Sequence, residues 1–218
     1  MRNCVTVDTK QTILEHYIQT LRDTGKPPVS VSAVCTALNL GEREFFTAFA
    51  TLDAVEARYW EAIVDRVVLA VEAGAEWPGF NARQRLLAFF YAFCEESLDY
   101  RSLMLLRLAP LGPLARPAIL RGFENRFKQF AETVVSHGIA GNEIAGRGKL
   151  SMLYPEAIYL QFRAIIDFNL KDDSAGFERT DAFIEKSAAL AFDLLAVQAI
   201  DSAWDLMRFL LPKPRGLA

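Results

Sequence analysis

The sequence predicts an all-α protein, with a three-helix N-terminal unit over residues 1–51 and a larger helical unit over residues 52–218. Three observations carry this expectation. Apolar residues recur at helical spacing almost throughout, and the strict alternation of a half-buried strand is nearly absent. Breakers at Gly25 to Pro28, Trp77-Pro78-Gly79 and Pro110 to Pro117 cut the chain into helix-length pieces.

The elements follow in order. Thr9 to Thr24 forms a first helix with Ile13, Tyr17 and Leu21 on one face, ended by Gly25 and Pro27-Pro28. Ser30 is a natural N-cap for a short helix carrying Val31, Val34, Cys35 and Leu38. Asn39 comes next, a residue that tolerates the left-handed backbone of a tight turn. Gly41 opens a second short helix with Phe45, Phe46 and Phe49, and a long helix runs from Leu52 to about Gly74. Its buried stripe is Val55, Tyr59, Ile63, Val67 and Val71.

After the Trp77-Pro78-Gly79 break, Asn81 to Tyr100 is helical again, and Pro110, Gly112, Pro113 and Pro117 mark an irregular connection. A helix carrying Ile119, Phe123, Phe127, Phe130 and Val134 ends near Gly138. Residues 138–149 hold four glycines and are expected to form a mobile loop. Three more helices are predicted at about 152–171, 177–196 and 198–211, the last stopped by Pro212 and Pro214.

Composition narrows the function classes. The 218 residues carry 27 acidic and 24 basic side chains, with hydrophobic residues at 52%, which excludes wholesale disorder. Cys4, Cys35 and Cys94 are too few and too scattered for a disulfide framework and fit a reducing compartment. The N-terminus lacks the apolar stretch of a secretory signal, and no segment is apolar for long enough to span a membrane. The expectation is a cytoplasmic protein with no membrane span.

The short helix, turn and short helix around Asn39 have the layout of a helix-turn-helix reader, in which the second short helix enters the major groove. The stretch Ser30 to Phe49 (SVSAVCTALNLGEREFFTAF) resembles the TetR family of bacterial one-component regulators. The matching positions are the Ser30 cap, apolar Val31 and Val34, small Cys35, turn residue Asn39, apolar Leu40, and aromatic Phe46 and Phe49. Asp53-Ala54-Val55 resembles the usual start of the family's connecting helix. The resemblance covers residues 10–70 by motif and the remainder by helix count.

The resemblance implies a homodimer that binds operator DNA and responds to an apolar or amphipathic small-molecule effector. Lys26, Ser30 and Ser32 would hold phosphates, together with Arg2 and Lys10, while Arg43, Glu44 and Thr47 would reach base edges. This sequence departs from the pattern where the family usually has basic residues. Glu42 and Glu44 flank Arg43, Leu52 replaces a frequent lysine, and residues 1–60 hold six basic against seven acidic side chains. A DNA-binding domain ordinarily shows a basic footprint. Two readings therefore stand: a regulator, or a small-molecule or lipid-binding protein of the same fold that has lost DNA binding.

In the C-terminal unit, the resemblance assigns the last two helices to the dimer interface, with Phe183, Ile184, Ala188, Phe192 and Trp204 as candidates. Phe89, Phe93, Phe123, Phe127, Tyr154 and Phe162 are candidate lining of an apolar ligand pocket, with Tyr91, Tyr154 or Arg163 supplying a polar contact. Residues 101–149 carry eight basic against three acidic side chains, a bias that suits an anionic ligand or simply a solvated face.

Catalytic signals are missing. There is no phosphate-binding glycine loop ending in Lys-Ser/Thr and no nucleophile elbow. The two histidines, His16 and His137, have no metal-ligand spacing, so no cofactor, metal or enzymatic activity is expected.

Overall fold

A cap, a turn and a breaker punctuate the first part of the chain, and each has a visible partner. The computed structural model describes residues 3–196, with side chains from residue 9 onward. Helix α1 spans Asn3–Thr24 and buries Ile13, Tyr17 and Leu21, the face expected from the spacing. Gly25 ends it at φ 69°, where its N–H returns to the Leu21 carbonyl at 3.0 Å. A side chain at that φ would be strained, which is why the helix stops on glycine.

Helix α2 covers Val31–Leu38, with the Ser30 hydroxyl accepting from the Ala33 N–H at 3.1 Å. Asn39 turns the chain in the left-handed region (φ 52°, ψ 44°), and the Leu40 N–H closes on the Cys35 carbonyl at 2.9 Å. Helix α3 covers Glu42–Ala48 and buries Phe45 against α1 and α2.

Helix α4 runs over Leu52–Glu72, started by the Thr51 hydroxyl accepting from the Ala54 N–H at 3.1 Å. Its buried face is broader than the expected stripe. Trp60, Val64 and Val68 join Val55, Ile63 and Val67, whereas Tyr59 and Val71 lie at its edge. This helix packs on both α1 and the C-terminal unit.

The remaining described helices are α5 (Ala82–Ser97), α6 (Arg101–Arg107), α7 (Arg121–Ala140), α8 (Tyr154–Lys171) and α9 (Glu178–Ala196), joined by short 3-10 turns. Helix α6 is a correction, because the periodicity predicted one helix to Tyr100 and an irregular segment beyond it. A 3-10 turn at Leu98–Tyr100 separates α5 from α6, which buries Leu103 and Met104. Helices α7 and α4 approach closely at Gly122, where a Cβ would lie 3.0 Å from the Ala57 carbonyl oxygen.

The segment 138–149 is also a correction. It is tied down rather than free: Ile144 is buried, its N–H and that of Glu143 bond the Gly138 carbonyl, and the Glu143 carboxylate accepts from the Ala82 N–H at 3.0 Å. The Ala145 N–H reaches the Leu195 carbonyl at 3.0 Å, fastening the segment to α9. The expected helix at 198–211, with Trp204, lies outside the described residues.

Candidate nucleic-acid interface and effector domain

Helix α3 starts on Gly41, which has no side chain to cap the first N–H groups. The Glu44 carboxylate fills part of that role by accepting from the Gly41 N–H at 2.8 Å. Glu42 sits in the same first turn, where a negative charge complements the positive end of the helix dipole. The acidic pair thus has a local structural job in beginning a seven-residue helix. Glu44, expected at base edges, is held on its own backbone.

Arg43, Phe46 and Thr47 lie on the outward side of α3 and are exposed, Phe46 at 54%. The Thr47 hydroxyl donates to the Arg43 carbonyl at 2.7 Å. Lys26, Ser30 and Ser32 are exposed at the α1–α2 junction and along α2. Beneath them Phe45 is buried, its ring 5.5 Å from that of Phe46 and 6.4 Å from that of Phe49 (centroid to centroid).

The unit is joined to the rest through a buried charged cluster that the sequence did not disclose. Glu56 of α4 is fully buried. Its carboxylate accepts from the Tyr17 hydroxyl of α1 at 2.8 Å and from the Trp60 indole N–H at 3.1 Å. Arg107, in the last turn of α6, completes it with Nε and Nη2 each 2.9 Å from a carboxylate oxygen. Burial, then the adjacent Glu56 charge, pushes the Tyr17 phenol well above its ordinary range, so it stays a hydrogen-bond donor. The Glu56 hydrogen bonds raise the Arg107 guanidinium's affinity for its proton against a smaller opposing effect of burial. Three side chains on three helices share one carboxylate, so α6 cannot shift without α1 and α4 registering it.

Five of the six expected pocket residues meet in the C-terminal core. Phe89 stacks on Phe130 at 4.8 Å, Phe127 on Phe162 at 4.4 Å and Phe123 on Phe162 at 5.4 Å, with Phe93 edge-on to Phe162 at 4.7 Å. These rings occupy the space between α5, α7 and α8, and none of them lines an open cavity among those described. Tyr154 lies apart. Its hydroxyl donates to the Ala145 carbonyl at 3.1 Å and accepts from Arg147 at 2.8 Å, so it fastens the 141–147 segment.

The dimer candidates divide by helix face. Ile184, Ala188 and Phe192 are buried within the chain itself. Positions on the opposite side carry the outward apolar row instead: Leu190 is 61% exposed and Leu194 51%. Phe183 is the one expected residue that lines the adjoining groove, an open, apolar trough of about 430 Å³ between α8 and α9. Ala157, Ile158, Gln161 and Ser187 also form its wall. Gln161 donates to the Ser187 hydroxyl at 3.2 Å, while its own carbonyl oxygen is buried with no hydrogen-bond partner among the described residues. Trp204 lies outside the described residues. Among the described residues, no helix is long and apolar enough to cross a membrane, and no cluster of His, Cys, Asp or Glu has the form of a metal site.

Comparison with known proteins agrees with this architecture. Residues 85–210 match the family model described as "Tetracyclin repressor-like, C-terminal domain". None of the curated proteins matches the chain in sequence. Two solved structures share the fold. One is a protein assigned to the tetR family of transcription regulators from Shewanella sp. PV-4, with a TM-score of 0.60 and 16% identity, over 87% of this chain and 98% of that one. The other, of unknown function, is from Rhodococcus sp. RHA1, with a TM-score of 0.55 and 17% identity, over 87% of this chain and 96% of that one. The family model spans more than half of the sequence, across α5 to α9 and beyond, and the chain belongs to the TetR family.

Proposed function

We propose that this protein is a ligand-responsive transcriptional regulator that binds operator DNA as a homodimer. The observation that carries the reading is the α2–Asn39–α3 unit with Arg43, Phe46 and Thr47 turned outward. Arg43 is the fork-shaped donor suited to a guanine edge, and Lys26, Ser30 and Ser32 flank it as phosphate contacts. The acidic residues are less of an obstacle than their number suggests, since Glu44 is engaged in starting its own helix.

Readers of this kind need two heads at a fixed spacing. The α8–α9 trough supports pairing with a second copy. Its apolar wall and the exposed Leu190 and Leu194 would be covered by an isologous partner. An effector acting on the C-terminal unit would reach the reading heads through α6, because Arg107 is bonded to the carboxylate that also holds α1. Such a ligand must bind the two arrangements with different affinity.

The second reading, a ligand-binding protein of this fold without DNA binding, is favoured by the excess of acidic over basic side chains in residues 1–60. Titrating the purified protein onto its own upstream DNA across salt concentration separates them. A regulator binds selectively, with log affinity falling linearly in log salt, and Arg43→Ala weakens the selectivity. A folded dimer that binds no DNA at low salt refutes the regulator and leaves the ligand-binding reading.

A further inference from the structure

Arg163 of α8 is the one cation among the described residues that is buried, at 3% exposed, and no carboxylate lies within ion-pair distance of it. Its guanidinium is held by neutral oxygens. Nη1 donates to the Ala115 carbonyl at 3.0 Å and, at 3.4 Å, to the Tyr159 hydroxyl, and Nη2 donates to the Gly112 carbonyl at 3.2 Å. Around Tyr159, Glu124 and Glu156 are both paired with Arg116 and Lys128, whose charges lie over the Tyr159 ring. A buried charge is ordinarily paired with an opposite one. Two carbonyls and a phenol supply only dipoles, where a carboxylate would match the guanidinium fork.

What surrounds this cation defines the rest of the ligand. Tyr159 touches Phe127 at 6.1 Å, and Phe162, the residue before Arg163, stacks within the phenylalanine core. The carbonyls that occupy the guanidinium belong to the α6–α7 connection, which carries Pro110, Gly112, Pro113 and Pro117 and leaves Leu114 76% exposed. That connection is a cover bonded to the cation by replaceable oxygens, with an apolar mass beneath it.

We propose that Arg163 is the anion anchor of the effector site, taking the carboxylate of an amphipathic acid in exchange for the Gly112 and Ala115 carbonyls. The proposal rests on the ligand-responsive reading above and names the class of its ligand. Freed from Arg163, the 109–117 connection loses two of its bonds to α8 and keeps the Arg116–Glu156 pair at its far end. It follows directly on α6, whose last turn holds Glu56, so the exchange acts on the joint with α1 and α4.

The test uses the full chain and two matched pairs of probes, decanoate with decanol and phenylpropanoate with phenylpropanol, titrated calorimetrically. We expect the acid of one pair to bind at least tenfold tighter than its alcohol, and Arg163→Gln to abolish that preference. Hydrogen exchange of the wild-type chain gives a readout independent of whether the variant folds: amides in 109–117 should exchange faster with the acid and not with the alcohol. Equal binding of acid and alcohol overturns the anion anchor and leaves an apolar effector. A preference that survives in Arg163→Gln also overturns it. Absence of binding by all four probes, from a preparation that still binds operator DNA, overturns it without touching the regulator. Loss of DNA binding alone fails the regulator and not the acid site.

Discussion

Replacing Arg107 by methionine should cost more than replacing Glu56 by glutamine, and the second change should partly rescue the first. The Glu56 side chain is fully buried, while that of Arg107 is 26% exposed. Arg107→Met therefore strands a carboxylate among Tyr17 and Trp60 with no cation, the situation that costs about 3–5 kcal/mol when a buried pair is broken. Glu56→Gln keeps shape and an acceptor. Its carbonyl still receives the Trp60 N–H and Arg107 Nε, its amide donates to the Tyr17 oxygen, and only the Arg107 Nη2 bond is lost. One charge-assisted bond is worth about 1.5–3 kcal/mol, and the abandoned Nη2 sits on the residue that can reach water. In the double variant no charge is stranded, so it should be more stable than Arg107→Met alone. Urea denaturation of the wild type, both single variants and the double gives the coupling directly. Additive costs, or a double variant less stable than Arg107→Met, would refute the account of Glu56 as the shared acceptor of three helices.

Further outcomes are expected elsewhere in the chain. Gly138→Ala should destabilise by about 1–3 kcal/mol in the same assay, since the new Cβ would sit 2.7 Å from Ile144 Cδ1 and 2.8 Å from Ala82 Cβ, too close for either to stay in place. For Asp172, burial opposes the charge, but hydrogen bonds from Thr180 and Ser174 outweigh it and hold the carboxyl below its ordinary range. Its stabilisation is complete above the unfolded value near 3.8 and fades as pH falls toward the lower folded value. Melting temperatures of wild type and Asp172→Asn should therefore differ at pH 7 and converge below about pH 4; a constant gap would contradict the assignment. For the proposed homodimer, Leu190→Glu together with Leu194→Glu should shift the species seen by analytical ultracentrifugation from dimer to folded monomer, whereas an unchanged dimer would move the interface away from this face. Cys94, whose thiol burial and the Asp181 charge push up to about 12, should resist alkylation at pH 8 until the protein unfolds.

The two readings of function turn on a few residues of α3. Glu44 in its cap position resolves part of the conflict between a reader's shape and an acidic recognition helix, because a glycine-started helix needs an acceptor in its first turn. Glu42 remains outward and negative, and an operator with accessible cytosine amino groups is the DNA that would accommodate it.

The helices themselves were written into the local sequence. Caps at Ser30 and Asn81, the Asn39 turn and the Gly25 stop act within a few residues, and apolar spacing identified the buried faces of α1 and α7. The helix-turn-helix unit could be read for the same reason, since its geometry is set by a run of twenty residues. What the sequence could not reveal depends on neighbours distant along the chain. Glu56 looks like any solvated acid until folding places Tyr17 and Arg107, 39 and 51 residues away, around its carboxylate. The face of α9 that is left uncovered is likewise chosen by packing on α5 and α8, which buries Ile184, Ala188 and Phe192 and leaves Leu190 and Leu194 outside. Arg163 is a charged residue on an amphipathic helix by pattern alone. Only the tertiary fold removes it from water without giving it an anion, because desolvation and charge pairing are properties of the assembled surroundings and not of sequence spacing.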